Sequence, residues 1–141
     1  MAATEKTDIT VEVQINAPVD KVWTLWTSPE HITQWNNPSP EWHTPKAQHD
    51  LRAGGNFLFR MEARDGSMGF DYGGVYDAVK PNEYLEYTIE DGRKVKIYFT
   101  GEGIRSKIVQ TFEAETMNTV EQQRVGWQGI LNSFKEYTEA N

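Results

Sequence analysis

His31, His43 and His49 are the only histidines in the chain, and there is no cysteine. A zinc site needs three or four ligands in a defined geometry. The best set available is His43, His49 and Asp50, on a segment where alternation puts both histidines on one face and Asp50 on the other. No metal site is assigned, and the histidines read as surface residues. The missing cysteine also removes disulfides, thiolate nucleophiles and thiolate metal sites. Ser28, Ser39, Ser67, Ser106 and Ser133 occupy turn, cap, strand or helix positions, and no G-x-S-x-G is present. There is no Walker motif and no G-x-G-x-x-G, so no phosphate cradle is implied, and "GEG" at 101–103 reads as a hairpin turn.

Carboxylates are abundant, but no two pair in a way that would divide acid and base roles. Asp71 lies between Phe70 and Tyr72, and by parity it points away from both, to the solvated face. Arg60 falls outside in the same way, within reach of an outer carboxylate. Gln110 is open between two readings, because Ile108, Gln110 and Phe112 share one face of a strand while Val109 and Thr111 share the other. If the first set faces inward, Gln110 is a buried polar group that wants a partner or a ligand. No catalytic residue and no cofactor is assigned.

The elements that carry these residues follow from periodicity. "DITVEVQIN" alternates Ile9, Val11, Val13 and Ile15 with polar residues and reads as a strand with one buried face. "APVDKVWTLWT" reads as a helix with Pro18 in its first turn and Val22, Leu25 and Trp26 on one side. "SPEHITQW" restarts helix, with Ser28 as N-cap, Pro29 at N1, and Ile32 and Trp35 facing inward. "NNPSPEW" is a stiff loop, "HTPKAQHD" a weak strand and "LRAGG" a turn. Phe57, Phe59 and Met61 alternate on the next strand, Asp65-Gly66 turns, and Met68, Phe70 and Tyr72 share a face on the return. Gly73-Gly74 suggests a bulge or sharp bend there. Three further strands carry Leu85, Tyr87 and Ile89, then Val95, Ile97 and Phe99, then residues 104–115. Hairpin-length turns make these strands antiparallel.

A long helix, "NTVEQQRVGWQGILNSFKEYTE", closes the chain, with a capping box from Asn118 and Glu121 or from Thr119 and Gln122. At about 100° per residue, Val120, Gln123, Ile130, Leu131 and Phe134 fall within about 60° of Trp127. Gly126, Gly129 and Ser133 form a small-residue flank beside this stripe. Each glycine weakens an exposed helix by about 1 kcal/mol relative to Ala. Either a neighbouring backbone packs close to the flank, which is the favoured reading, or a ligand fills the space between helix and sheet.

The 141 residues fit one domain, residues 8–141, behind a loose tail at residues 1–7. The net charge of −7 without a basic cluster argues against nucleic acid and against anionic membrane surfaces. No apolar run is long enough to span a membrane and no export signal is visible, so a cytoplasmic protein is expected. The aromatic share of 12%, with five Trp, exceeds what a plain core requires and suits either a pocket for an apolar molecule or a dense core.

Taken together, "INAPVDKVWTLWTSPEHITQW", "DLRAGGNFLFRM", "DGSMGFDYGGVYDAVKPNEYLEYTI" and "TFEAETMNTVEQQRVGWQGILNSFKEY" resemble the branch of the START/SRPBCC superfamily typified by activators of the heat-shock-protein-ninety ATPase. The residues carrying the resemblance are Ala17, Pro18, Val22, Trp23, Trp35, Leu51, Arg52, Gly54, Gly55, Gly126 and Trp127. It implies an α+β helix-grip fold of order β-α-α-β6-α, in which a curved seven-stranded antiparallel sheet grips the C-terminal helix. It further implies a cavity between sheet and helix that receives lipids, polyketides or other apolar molecules. The lining expected from this sequence is Trp35, Phe57, Phe59, Met61, Phe70, Tyr72, Tyr87, Phe99, Gln110, Trp127, Leu131 and Phe134. Non-enzymatic binding of an apolar or amphipathic small molecule is the leading expectation. A protein-interaction module that regulates a chaperone, and a cyclase or hydrolase using Tyr72, Gln110 or Asp71, are the alternatives.

Overall fold

A computed structural model describes residues 7–141. The expected tail at residues 1–7 lies outside the described residues except for Thr7, whose carbonyl accepts the Ala114 N–H at 2.8 Å. The elements are β1 (Asp8–Ile15), α1 (Val19–Thr27), α2 (Pro29–Trp35), β2 (Trp42–His49), β3 (Asn56–Ala63), β4 (Gly69–Lys80), β5 (Tyr84–Ile89), β6 (Lys94–Glu102), β7 (Arg105–Glu113) and α3 (Val120–Ala140). The strands form one antiparallel sheet in the order β1-β7-β6-β5-β4-β3-β2, curled as a half-barrel around α3. This is the helix-grip arrangement.

Alternation decides the inner face. Ile9, Val11 and Ile15 of β1, Leu85, Tyr87 and Ile89 of β5, Val95, Ile97 and Phe99 of β6, and Ile108 and Phe112 of β7 are buried. Leu131 and Phe134 of α3 are buried against them. Gln110 shares its face with Ile108 and Phe112, so the inward reading of β7 is the one the fold adopts.

The two edge strands are both covered. Along β1, Gln128 donates to the Glu12 carbonyl at 3.0 Å and Lys135 to the Gln14 carbonyl at 2.9 Å, while Glu139 accepts the Asn16 N–H at 2.8 Å. On β2, Pro45 is tolerated because the register against β3 shifts between His43 and Lys46. Thr44 then donates to the Asn36 carbonyl at the end of α2 at 2.5 Å.

Two local expectations, at Gly73-Gly74 and at Pro18, are corrected, and Ser28 takes its expected N-cap position without a side-chain cap. The pairing of β3 with β4 runs without interruption through Gly73 and Gly74, and the shift falls instead between Tyr76 and Ala78 against β5. The reason for glycine is proximity: a Cβ at Gly74 would overlap the Thr88 carbonyl oxygen of β5. Ser28 sits at the N-cap of α2, but its hydroxyl donates back to the Thr24 carbonyl at 2.6 Å and caps nothing. Pro18 is the N-cap of α1 in extended conformation, one place before the helix rather than in its first turn. At α3 the capping box is Thr119 with Gln122, each bond 3.0 Å long.

Candidate functional site

A cavity of about 680 Å³ lies between the inner face of the sheet and α3. Its exposed lining residues, Phe70, Asn118 and Gln122, mark the mouth, and its buried ones, among them Trp35, Phe57, Met61, Tyr76 and Gln110, mark the floor. Nine of the residues expected to line it do so: Trp35, Phe57, Phe59, Met61, Phe70, Tyr72, Tyr87, Gln110 and Trp127.

Phe99, Leu131 and Phe134 do not. Phe99 meets Trp23 edge-on at 5.2 Å, and Phe134 meets Trp26 at 4.9 Å and Trp35 at 4.8 Å. Trp26 touches both phenylalanines and itself lines the cavity, so it closes that end and leaves them in packed core. Leu131 is fully buried. Alternation identifies the inner face of a strand but not how far along it the short helices reach.

The lining also includes residues outside the expected set, notably Trp26, Trp42, Tyr76, Arg93 and Glu115. Tyr76 has the parity of Phe70 and Tyr72, and because the β3–β4 pairing continues through Gly73 and Gly74 that parity carries it to the inner face. Trp42 opens β2 rather than ending the loop, and packs edge-on against Phe70 at the mouth, 5.9 Å away.

The wall is aromatic, with polar groups at set points. Trp127 stacks on Phe112, with centroids 3.9 Å apart, and stands edge-on to Tyr72 at 6.2 Å. The hydroxyls of Tyr72 and Tyr87 are 3.0 Å apart. Burial pushes both phenols well above their ordinary range, so both stay protonated. Tyr76 reaches His49 Nδ1 at 2.7 Å, and His49 Nε2 lies 2.7 Å from the Thr27 carbonyl. A carbonyl only accepts, so Nε2 carries the proton and Nδ1 accepts from Tyr76. Burial lowers the His49 pKa and favours this neutral form, against the opposing pull of the Thr27 carbonyl and Asp50.

Arg93 is the one cation in the lining, and its Nε donates to Asp91 at 2.8 Å. Glu115 is the one carboxylate. Desolvation works against its charge, but N–H groups of Met117 and Asn118, at 3.0 and 2.8 Å, hold its carboxyl below the usual range.

Asp71 lies on the outer face, 3.3 Å from Arg60, which also bonds Glu62 at 2.9 Å. The histidines are half-buried rather than superficial: His31 bonds the Tyr137 hydroxyl at 2.6 Å, and His43 lies 3.8 Å from Glu62. Among the described residues no three His, Cys, Asp or Glu side chains come together as a metal site. No described helix is long and apolar enough to cross a membrane.

The small flank of α3 divides. A Cβ on Gly129 would overlap the Pro38 carbonyl oxygen, and Ser133 donates to the Trp35 carbonyl at 2.8 Å. A Cβ on Gly126 would meet nothing within 4 Å, and Gly126 lines the cavity. Close packing therefore holds at Gly129 and Ser133, while Gly126 borders open cavity.

A curled sheet gripping a helix around an aromatic cavity defines a START/SRPBCC-type scaffold. The chain belongs to the family described as activator of Hsp90 ATPase homolog 1-like protein, whose model matches residues 16–139. It is similar to the solution structure of an AHSA1-like protein from Aeromonas hydrophila, with 41% identity, TM-score 0.88, and 95% of this chain and 93% of that one covered. A solution structure from Cytophaga hutchinsonii is 57% identical, with TM-score 0.81 and the same coverage of both chains. A crystal structure from Chromobacterium violaceum, 21% identical with TM-score 0.85 and covering 96% of this chain and 99% of that one, shares the fold. Among curated proteins none matches the chain.

Proposed function

We propose that this protein binds an apolar or amphipathic small molecule, lipid-like or polyketide-like, between the sheet and α3, without a catalytic step. The observation that carries the reading is the aromatic cavity of about 680 Å³ with polar groups confined to a few points. Ligand sites of roughly 300–1,000 Å³ usually have this composition, with a few polar groups fixing orientation. The family supplies a scaffold for ligand binding or regulation in general, and the cavity supports the first of these.

The test is native mass spectrometry of the protein purified from its own host, with parallel amide NMR titrations against a panel of neutral lipids and aromatic ketones. The expected result is a co-purified adduct, or shifts centred on Trp35, Phe57, Tyr72 and Trp127. A protein that carries no adduct and whose cavity resonances move with no panel member overturns the reading.

A further inference from the structure

Gln110 is 4% exposed, lines the cavity, and sits on β7 between Ile108 and Phe112, which are both buried. Its cross-strand neighbours are Val11 and Ile97, both apolar and buried. Its carboxamide nevertheless has no hydrogen-bond partner among the described residues. The only fully buried side-chain polar atom without a partner among the described residues is Thr138 Oγ1, so the carboxamide O and N of Gln110 keep their accessible surface. They keep it in the cavity, where a ligand excluding water must replace the hydrogen bonds they make there.

The other buried polar side chains are handled differently. Gln123 donates to the carbonyls of Glu115 and Asn118 and accepts the Glu115 N–H, while Thr44 and Ser106 each donate to a carbonyl. Thr138 also lacks a partner, but it lies in the last turns of α3 and is not part of the cavity wall. Asn36 also lines the cavity, but its Nδ2 donates to Met61 Sδ at 3.2 Å, so among the buried polar side chains Gln110 alone is turned to the cavity with no partner among the described residues.

A second feature of the wall points the same way. Two phenolic O–H groups meet at Tyr72 and Tyr87, and one proton suffices for the bond between them. The second has no acceptor among the described residues, and both tyrosines line the cavity. The wall therefore offers donors without a free positive charge, because Arg93 is engaged by Asp91 and the carboxylate of Glu115 shares the lining.

We propose that the cavity selects a neutral molecule that presents a carbonyl or hydroxyl oxygen to the Gln110 carboxamide, with the rest of the molecule apolar. This rests on the binding function proposed above and narrows its ligand class. A carboxylate ligand is disfavoured, since it would be desolvated beside Glu115 with no unpaired cation to meet it.

Three matched probes test it on the full chain: 2-acetylnaphthalene, 2-ethylnaphthalene and 2-naphthoate, titrated by tryptophan fluorescence and by amide NMR. For the wild type, the ketone is expected to bind about fivefold more tightly than the hydrocarbon, the worth of one net hydrogen bond. Naphthoate is expected to bind most weakly, and the Gln110 side-chain NH₂ resonances are expected to shift with the ketone alone. In Gln110→Leu the preference for the ketone is expected to disappear while 2-ethylnaphthalene binds at least as well. An unchanged ketone-to-hydrocarbon ratio in Gln110→Leu, or Gln110 NH₂ signals that stay put as the wild type binds the ketone, overturns the Gln110 assignment and leaves the binding cavity standing. Naphthoate binding more tightly than the ketone overturns neutral selectivity. Failure of all three probes to bind overturns the cavity reading and this inference with it.

Discussion

The carbonyl oxygen of Pro38 occupies the space that a side chain on Gly129 would need. The loop between α2 and β2 therefore lies directly on the backbone of α3, and that contact fixes one side of the cavity, where Pro38 is itself a lining residue. Gly129→Ala must displace the loop or bend the helix. We predict a loss of about 1–3 kcal/mol in urea unfolding, the range for overpacking a tight site, with resonance shifts at residues 36–42.

Gly126 gives the opposite result. It is helical and unobstructed, so Gly126→Ala is expected to stabilise the protein by up to about 1 kcal/mol through helix propensity alone. A large side chain there projects toward the cavity. Gly126→Phe is expected to fold with near wild-type stability and to lower 2-acetylnaphthalene affinity at least tenfold. Fluorescence titration checks the second outcome, and unchanged affinity would show that Gly126 does not border the occupied space.

This division also marks how far the sequence could be read. The order of elements, the inner faces of β1, β5 and β6, and the α3 stripe all follow from period alone, because each depends on local spacing. The placement of Trp26 against Phe99 and Phe134 depends on where α1 and α2 dock on the sheet, which is a tertiary matter. Tyr76 was obscured because a glycine pair signals either a bulge or close strand approach, and here it reflects close approach. The orientation of Gln110 was ambiguous because β7 has apolar residues on both faces, and only pairing with β1 and β6 resolves it. Arg93 and Glu115 reach the cavity from turns, where no periodicity applies.

His49 joins the C-terminal end of α1 to Tyr76 on β4, and burial lowers its pKa from 6.5. The unfolded chain then binds more protons than the folded one between the lowered value and 6.5, so stability rises with pH across that window. His49 contributes fully above about pH 6.5, and its contribution is lost as pH falls through its folded pKa. Urea midpoints measured from about pH 7.5 to 5.5 are expected to fall for the wild type and to fall less for His49→Gln. An equal decline in both would place the pH dependence elsewhere.

The hydroxyls of Tyr72 and Tyr87 share one hydrogen bond in the wall, which leaves one O–H undonated, and burial keeps both protonated. Tyr72→Phe removes one partner and leaves the Tyr87 hydroxyl buried, so the single variant is expected to lose about 1–2 kcal/mol. Tyr87→Phe is expected to cost a similar amount. The double variant leaves neither hydroxyl unpaired, so its loss falls short of the sum of the two singles. A double-mutant cycle is expected to give a coupling of about 0.5–1.5 kcal/mol, because the residues share one bond. Additive losses would mean that each hydroxyl is served by water rather than by the other. The cycle can be repeated with 2-acetylnaphthalene bound. If the spare O–H of the pair also reaches the ligand, the double Phe variant, which removes both donors, weakens the ketone more than it weakens 2-ethylnaphthalene.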